Sequence, residues 1–207
     1  MKLLLMGPPG AGKGTQASRF AADLRAPHIS TGDIFRENVA GQTPLGKQAQ
    51  AYMDRGEYVP DELTNALVAE RLARADAQPG FILDGYPRTP DQVAWLDAML
   101  SHRGQQVDHV LWLDVARTEL VTRLTSRAAA SGRSDDDPAV VERRLDVFDA
   151  QTAPLLALYR ARGILRSVDG VGTLEQVAGR MRTALDLPSN ASAVDAPSDT
   201  AVSSTPV

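Results

Sequence analysis

The chain has 207 residues, of which 43% are hydrophobic, and its formal net charge is -4. A chain of this length can bury a full core, so we expect one domain with small insertions. The negative charge argues against nucleic acid or an anionic membrane as the main partner, because such binding depends on a basic surface. The absence of cysteine excludes disulfides and thiolate sites, and it agrees with a cytoplasmic protein.

Short apolar runs alternate along the chain with stretches of helical spacing such as Gln16–Leu24 and Leu63–Leu72. Alternation of strands and helices predicts an α/β fold, with a parallel sheet covered by helices on both faces. In such sheets, ligands bind beyond the carboxyl ends of the strands. No apolar run approaches the ~20 residues of a membrane span, so we expect no membrane partner. The predicted strands are Lys2–Met6, His28–Ser30, Phe81–Leu83, His109–Asp114 and Ile164–Val168.

The first predicted strand leads into the loop GPPGAGKGT, at residues 7–15, in which glycines and prolines surround one lysine. Glycines let backbone N–H groups turn toward a phosphate, and the helix that follows offers the positive end of its dipole. This context favours phosphate binding over an ordinary glycine-rich turn. The pattern G-x-x-x-x-G-K-[ST] has a hydroxyl directly after the lysine, but here that position is Gly14 and the hydroxyl follows on Thr15.

Asp84 follows the third predicted strand, at the edge of the sheet where the phosphate loop is expected. A carboxylate in this place suits Mg²⁺, directly or through water, although an aspartate that caps a turn or helix is an equal alternative for Asp84 alone. The nearby phosphate loop favours the metal. Because Gly14 has no hydroxyl and Thr15 lies about 100° further round the helix, we expect Mg²⁺ to be held by phosphates and water, with Asp84 behind the water.

Arginines cluster in the second half of the chain. The helix predicted over Asp137–Ala150 has an apolar stripe that includes Arg144, and a buried cation needs an anionic partner. A snorkelling edge arginine is the alternative for that residue. Arg123 and Arg127 are four residues apart on another predicted helix, beside a polar loop that carries Arg133. A solvated arginine face remains an alternative for Arg123 in this arginine-rich chain.

Three segments do not fit the alternation of strands and helices. Asp33–Pro60 reads as helical pieces broken at glycines, and Ala128–Asp137 reads as a small polar loop, so we expect both to form flaps over a site. Pro188–Val207 contains no aromatic residue, leucine or isoleucine. It lacks the apolar surface that would offset the entropy of ordering, which predicts a disordered tail.

Residues 1–187 together resemble the adenylate kinases. The resemblance rests on GPPGAGKGTQ, on STGDIFR at 30–36, on GEYVPDE at 56–62, on GFILDGYPRTPDQ at 80–92, on VDGVGT at 168–173 and on the arginines after Asp114. It implies a P-loop three-layer fold around a five-stranded parallel sheet, and a monomer. The implied domain has its core at 1–29, 60–125 and 137–187, an NMP-binding insertion at 30–59 and a short lid at 126–136.

The resemblance also implies the reaction, reversible phosphoryl transfer from MgATP to AMP giving two ADP, and with it a role in adenine nucleotide homeostasis. The short lid without cysteine implies no zinc. The ATP-binding residues would be Gly10, Ala11, Gly12, Lys13, Gly14, Thr15, Arg123, Arg127 and Gly172. The AMP-binding residues would be Thr31, Arg36, Glu57, Tyr58, Val59, Gly85, Tyr86, Pro87, Arg88, Gln92, Arg133 and Arg144, with a cis bond between Tyr86 and Pro87. The cations that neutralise the transferred phosphoryl group would be Lys13, Arg88, Arg127, Arg133 and Arg144.

Two other functions remain open at this level. A UMP/CMP kinase shares the loop, the fold and the short lid, although Thr31 and Gln92 favour adenine, because a side-chain amide can both donate to and accept from that base edge. A GTP-dependent switch would need an N-K-x-D guanine reader, and none of the three lysines of the chain lies in such a motif.

Overall fold

The computed structural model describes residues 1–131 and 134–188 of the chain. Arg133 and residues 189–207, which include nearly all of the predicted tail, lie outside the described residues. The described residues form a five-stranded parallel sheet in the order β2-β3-β1-β4-β5. The strands are β1 Lys2–Met6, β2 His28–Ser30, β3 Phe81–Asp84, β4 His109–Asp114 and β5 Leu165–Asp169. The α/β fold with a five-stranded parallel sheet is therefore confirmed.

Threonine side chains define the start of three helices. Thr43, Thr89 and Thr173 each accept a hydrogen bond from the backbone N–H three residues later. Pro44 and Pro90 occupy the first turns of two of these helices, where no backbone donor is needed. The helices are α1 Lys13–Leu24, α2 Thr31–Ala40, α3 Pro44–Asp54, α4 Asp61–Leu72, α5 Pro90–Ser101, α6 Arg117–Ser131, α7 Pro138–Gln151, α8 Leu155–Ala161 and α9 Leu174–Ala184.

The sheet is covered on both faces, which explains why its central strands β1 and β3 are almost entirely apolar. Alternate side chains of β1 enter different clusters: Leu4 and Met6 pack on one face, and Leu3 and Leu5 on the other. Helices α4, α5 and α8 supply the first cluster, and α1, α6 and α9 supply most of the second. Burial on both faces therefore produces three layers. In the part of the chain that the structure describes, no helix combines the length and apolar character needed to cross a membrane.

The two expected flaps differ in their structure. Helices α2 and α3 form the first, and Ser30 caps α2 by accepting from the N–H of Asp33. The second is shorter than the loop predicted over Ala128–Asp137, because α6 continues to Ser131 and a 3-10 turn follows at Ser134–Asp136. The alanines at 128–130 explain this difference, since alanine is the strongest helix former.

Candidate active site

The phosphate loop leaves β1 at the carboxyl edge of the sheet and leads directly into α1. Gly10 and Gly12 have φ angles of +86° and +90°, which side chains disfavour, so glycine is required at these turns. The ammonium group of Lys13 folds back on the loop and donates to the carbonyl oxygens of Gly7 at 2.7 Å and Pro8 at 2.9 Å. These bonds hold the charge of Lys13 at the mouth of the loop.

Lys13 has no carboxylate partner among residues 1–131 and 134–188, although its ammonium group is enclosed by the site. Burial lowers the pKa of Lys13 to about 8, with further lowering by the charges of Arg88, Arg144 and Arg127, while the charge of Asp84 acts in the opposite direction. Burial and the neighbouring arginines thus disfavour the charged form of Lys13 until an anion binds beside it. The loop is therefore arranged to receive a polyanion.

Asp84 ends β3 beside this loop, and only 7% of its surface is exposed. A Cβ atom placed on Gly14 would lie 3.5 Å from Oδ2 of Asp84, so it is residue 14 that faces this carboxylate, whereas Thr15 is exposed. The described residues contain no group of three or more His, Asp or Glu side chains that could bind a metal. A single carboxylate beside a phosphate loop fits Mg²⁺, which takes most of its ligands from water and substrate phosphates.

His28, at the start of β2, is a neighbour of Asp84 that no sequence motif indicated. Its Nε2 lies 3.4 Å from Oδ2 of Asp84, and its Nδ1 lies 3.2 Å from the hydroxyl of Ser18. The contact follows from the parallel register of β2 and β3, which pairs Ser30 with Asp84. No local pattern in the sequence carried this information, because the two residues are 56 positions apart.

Arg127 and Arg144 converge on Asp136, whose side chain is fully buried. Arg127 donates to both carboxylate oxygens at 2.6 and 2.7 Å, and Arg144 donates to Oδ1 at 2.9 Å. Arg144 also lies 3.0 Å from Oδ2 of Asp135. The expectation that Arg144 needs an anionic partner is therefore confirmed, and Asp135 and Asp136 are the partners. The 3-10 turn that follows α6 presents both carboxylates to the cleft.

The charges in this cluster shift one another's protonation equilibria. Burial alone would raise the pKa of Asp136, but hydrogen bonds and attraction from Arg127 and Arg144 outweigh burial and hold the pKa below its usual value. Bonding to Asp136 raises the pKa of Arg127. Burial lowers the pKa of Arg144 despite the attraction of Asp135 and Asp136. The cluster is therefore a network of ion pairs whose members shift one another's pKa values.

The cluster also reaches the first flap. Arg36, on α2, pairs with Asp33 one turn earlier in the same helix. Its Nη1 lies 3.9 Å from Oδ2 of Asp135, in the 3-10 turn of the second flap. This distance joins a cation of one flap to a carboxylate of the other across the cleft. The two flaps are thus electrostatically linked above the carboxyl edge of the sheet.

Most of the residues predicted for AMP line one pocket between α2, α3 and the end of β3. Phe35 and Met53, which were not among the predicted AMP residues, supply apolar walls to this pocket, and Asp135 also lines it. Arg133 lies outside the described residues. The predicted residues that the pocket brings together are Thr31, Arg36, Glu57, Tyr58, Val59, Gly85, Arg88, Gln92 and Arg144.

Tyr86 does not line this pocket, contrary to its inclusion among the AMP residues. Its side chain is 1% exposed, and its hydroxyl donates to Oδ1 of Asn65 at 2.7 Å. Burial raises the pKa of Tyr86, as expected for a core tyrosine. Pro87 follows through the cis bond that the resemblance implied. Both residues instead line a small neighbouring cavity beneath Lys13.

The two residues that favoured adenine are engaged in internal hydrogen bonds. The amide of Gln92 accepts from the N–H of Arg88 at 2.7 Å and donates to Oδ1 of Asp61 at 2.6 Å. The hydroxyl of Thr31 donates to the carbonyl oxygen of Gly85 at 3.0 Å. These bonds use the only proton of the Thr31 hydroxyl and one donor and one acceptor position of the Gln92 amide, so Thr31 could only accept from a base and Gln92 has fewer positions left to read one. In this conformation Gln92 orients Arg88, a role that sequence reasoning did not assign to it.

A second pocket lies on the opposite side of the phosphate loop, between α6 and the loop after β5. Arg123 crosses it, donating to Glu119 at 2.7 Å and to the carbonyl oxygen of Gly170 at 3.2 Å. Leu174 adds a half-exposed apolar surface. The predicted ATP residues in this pocket are Gly10, Ala11, Gly12, Arg123 and Gly172.

A central cleft lies between the two pockets, and it brings the charged and loop residues of both predicted substrate sets together. Arg88 and Arg144 line both this cleft and the AMP pocket. The predicted site residues along the cleft are Gly10, Gly12, Lys13, Gly14, Thr15, Arg36, Asp84, Gly85, Arg88, Arg127 and Arg144. The cations of both predicted substrate sets therefore lie along one cleft.

Comparison with known proteins agrees with this geometry. The family model for adenylate kinase matches residues 5–164. The chain is 53% identical to an adenylate kinase of Clavibacter michiganensis, over 89% of this chain and 92% of the relative. It is 54% identical to one of Thermobifida fusca, over 89% and 98% of the two chains, and 50% identical to one of Bifidobacterium longum, over 90% and 100%. On its fold, its site and these similarities, the chain belongs to the adenylate kinase family.

Proposed function

We propose that the protein catalyses reversible transfer of the terminal phosphoryl group of MgATP to AMP, giving two ADP, and so serves adenine nucleotide homeostasis. The observation that carries this proposal is the convergence of Lys13, Arg88, Arg127 and Arg144 on one cleft with a pocket at either end. A donor nucleotide held by the phosphate loop and an acceptor held beneath α2 would meet at these cations.

The residues of this cleft suit phosphoryl transfer because that reaction depends mainly on in-line positioning and charge neutralisation. The phosphate of AMP is already ionised, so no general base is required. Among the described residues Lys13 and Arg88 have no ion pair, which leaves their charges available to phosphates. Arg127 and Arg144 are held by Asp136, which keeps them in place before the substrates bind.

In this proposal, Mg²⁺ binds beside Asp84 and Gly14. The metal, bound with ATP, would neutralise phosphate oxygens as charge shifts during transfer. Asp84 would accept hydrogen bonds from metal-bound water, since the residue facing it carries no hydroxyl. The short lid without cysteine supports a protein that uses no zinc. A complex with MgATP that shows a direct bond of about 2.1 Å between Thr15 and Mg²⁺ would contradict this assignment.

The division of the chain into moving parts is also a proposal. Residues 30–59 would close over AMP and residues 126–136 over ATP, around a core of 1–29, 60–125 and 137–187. Closure would exclude water, to which the phosphoryl group would otherwise be lost. The link between Arg36 and Asp135 supports coupling of the two movements. We further propose a cytoplasmic monomer whose partners are ATP, AMP and ADP.

A panel of nucleoside monophosphates with MgATP tests the function. We expect ADP formation with AMP to exceed turnover of UMP, CMP or GMP by far. Comparable or better rates with a pyrimidine monophosphate would assign a UMP/CMP kinase instead, an outcome that matters because Thr31 and Gln92 are engaged internally. Slow hydrolysis of a nucleotide without any phosphate acceptor would favour a nucleotide-dependent switch.

A further inference from the structure

Arg88 is held at four points in the cleft. Its backbone N–H donates to Gln92 at 2.7 Å, and its Nε donates to the carbonyl oxygen of Gly85 at 2.6 Å. Its guanidinium group lies over the ring of Tyr58, 4.8 Å from the ring centre. The fourth point is its own carbonyl oxygen, which accepts from the hydroxyl of Thr152 at 2.9 Å. The first two contacts are local in sequence, whereas the last two come from distant segments.

The two distant contacts are joined to each other. The hydroxyls of Tyr58 and Thr152 lie 2.7 Å apart. A hydroxyl has one proton to donate, and Thr152 uses its proton on the carbonyl of Arg88, so Tyr58 must be the donor to Thr152. The result is a chain of two hydrogen bonds, in which Tyr58 donates to Thr152 and Thr152 donates to the carbonyl of Arg88. Thr152 is only 3% exposed, so water does not readily replace its partners.

Three parts of the molecule meet at this hydrogen-bond chain. Tyr58 lies after α3, at the end of the insertion proposed to close over AMP. Thr152 directly follows α7, the helix that carries Arg144 from the opposite side of the cleft. Arg88 follows β3, and its side chain lines the AMP pocket and the central cleft. The position of the insertion is therefore linked to the backbone and the guanidinium of Arg88.

We propose that Tyr58 and Thr152 are positioning residues that align Arg88 for phosphoryl transfer when the insertion is closed. This inference rests on the proposed function, because it assigns a task within that reaction. The ring of Tyr58 packs on the face of the guanidinium and the carbonyl of Gly85 holds its Nε, so none of the four contacts uses the Nη groups, which remain available to phosphates. The hydroxyl chain fixes the carbonyl of Arg88, and hence the origin of its side chain. Small displacements of a catalytic cation are costly, because transfer requires in-line geometry.

The test compares Tyr58→Phe, Thr152→Val and the double variant with the wild type. Tyr58→Phe keeps the ring over Arg88 and removes only the donor hydroxyl. The rate of phosphoryl transfer is measured by mixing the preformed enzyme–MgATP complex with AMP in a quench-flow instrument, so that product release does not hide the chemical step. Affinity for AMP is measured by calorimetry, and folding by thermal unfolding. Tyr52→Phe is the matched control, because Tyr52 lies in the same insertion and also stacks with an arginine but takes no part in these hydrogen bonds. The guanidinium carbon of Arg55 lies 5.1 Å from the centre of the Tyr52 ring.

We expect Tyr58→Phe and Thr152→Val each to slow phosphoryl transfer by about tenfold, with the affinity for AMP changed less than about twofold. The double variant is expected to be no slower than Thr152→Val, because both changes break one chain. Thr152→Ser, which keeps the hydroxyl, is expected to retain most of the rate, and Tyr52→Phe all of it.

Several results would overturn the proposal. An unchanged transfer rate in Tyr58→Phe would do so, even if Thr152→Val failed to fold. Weaker AMP binding at an unchanged transfer rate would reduce Tyr58 to a binding residue, and additive effects in the double variant would show that the two hydroxyls act separately. Lower thermal stability with an intact rate per folded molecule would make the chain purely structural. Failure of the proposed function is distinguishable, because the wild type itself would then not transfer phosphate to AMP.

Discussion

The charge of Lys13 offers a direct test of how this cleft prepares for a polyanion. In the free protein its pKa is lowered to about 8, chiefly by burial and then by the neighbouring arginines. About half of the molecules would therefore carry an uncharged Lys13 at pH 8, and about a tenth at pH 7. ATP phosphates placed against the ammonium favour its charged form and raise its pKa. ATP binding at pH 8 should consequently take up about half a proton from the buffer.

The assay is titration calorimetry of ATP binding at pH 7 and pH 8, in two buffers whose ionisation enthalpies differ widely. Because the pKa rises on binding, the sign of the linkage is uptake, and it should grow as the pH rises from 7 to 8. Lys13→Arg is the control, since a guanidinium group stays charged and should remove the buffer dependence while keeping the cation. An observed enthalpy that is equal in both buffers at pH 8 would show that Lys13 is already fully charged, and would refute the reasoning.

Two further predictions concern the arginines. Arg88→Ala should lower kcat by roughly three orders of magnitude, by analogy with arginines that stabilise phosphoryl-transfer transition states; a fall in thermal stability with full activity per folded molecule would contradict that role. Asp136→Ala leaves Arg127 and Arg144 without their shared buried carboxylate, so we expect a loss of about 3 kcal/mol in the free energy of unfolding, measured by denaturant titration. Phosphates of a bound nucleotide would give Arg127 and Arg144 another anionic partner, so saturating ADP should stabilise Asp136→Ala more than it stabilises the wild type, and equal stabilisation would contradict this expectation.

The central strands β1 and β3 were predictable from the sequence because they are buried on both faces, whereas the edge strands β2 and β5 are only partly buried. Three strands have the predicted bounds, β3 is one residue longer, and β5 begins and ends one residue later than predicted. A central parallel strand in a three-layer fold is apolar along most of its length, and glycine or charged residues mark its ends. The phosphate loop was predictable for a similar reason, because its function depends on adjacent residues of one segment.

The charge network was only partly predictable. Helical spacing placed Arg144 on a buried stripe and so required an anion, but it did not say which one. Its partners are Asp135 and Asp136, because the 3-10 turn between α6 and α7 places both carboxylates against Arg144. The loop predicted over Ala128–Asp137 was too long at its start, because the alanines at 128–130 continue α6 to Ser131.

The sequence by itself determined the strands, the phosphate loop and the cations that a nucleotide would need, since all of these depend on neighbouring residues or on helical spacing. Only the tertiary structure decided which distant side chains meet. The order of the strands brings His28 to Asp84, and the packing of α7 brings Thr152 to Arg88. The tertiary structure also buries the side chain of Tyr86 in the core and places the amide oxygen of Gln92 where it accepts from the N–H of Arg88. Such contacts depend on sheet register and helix packing, which spacing along one segment does not encode.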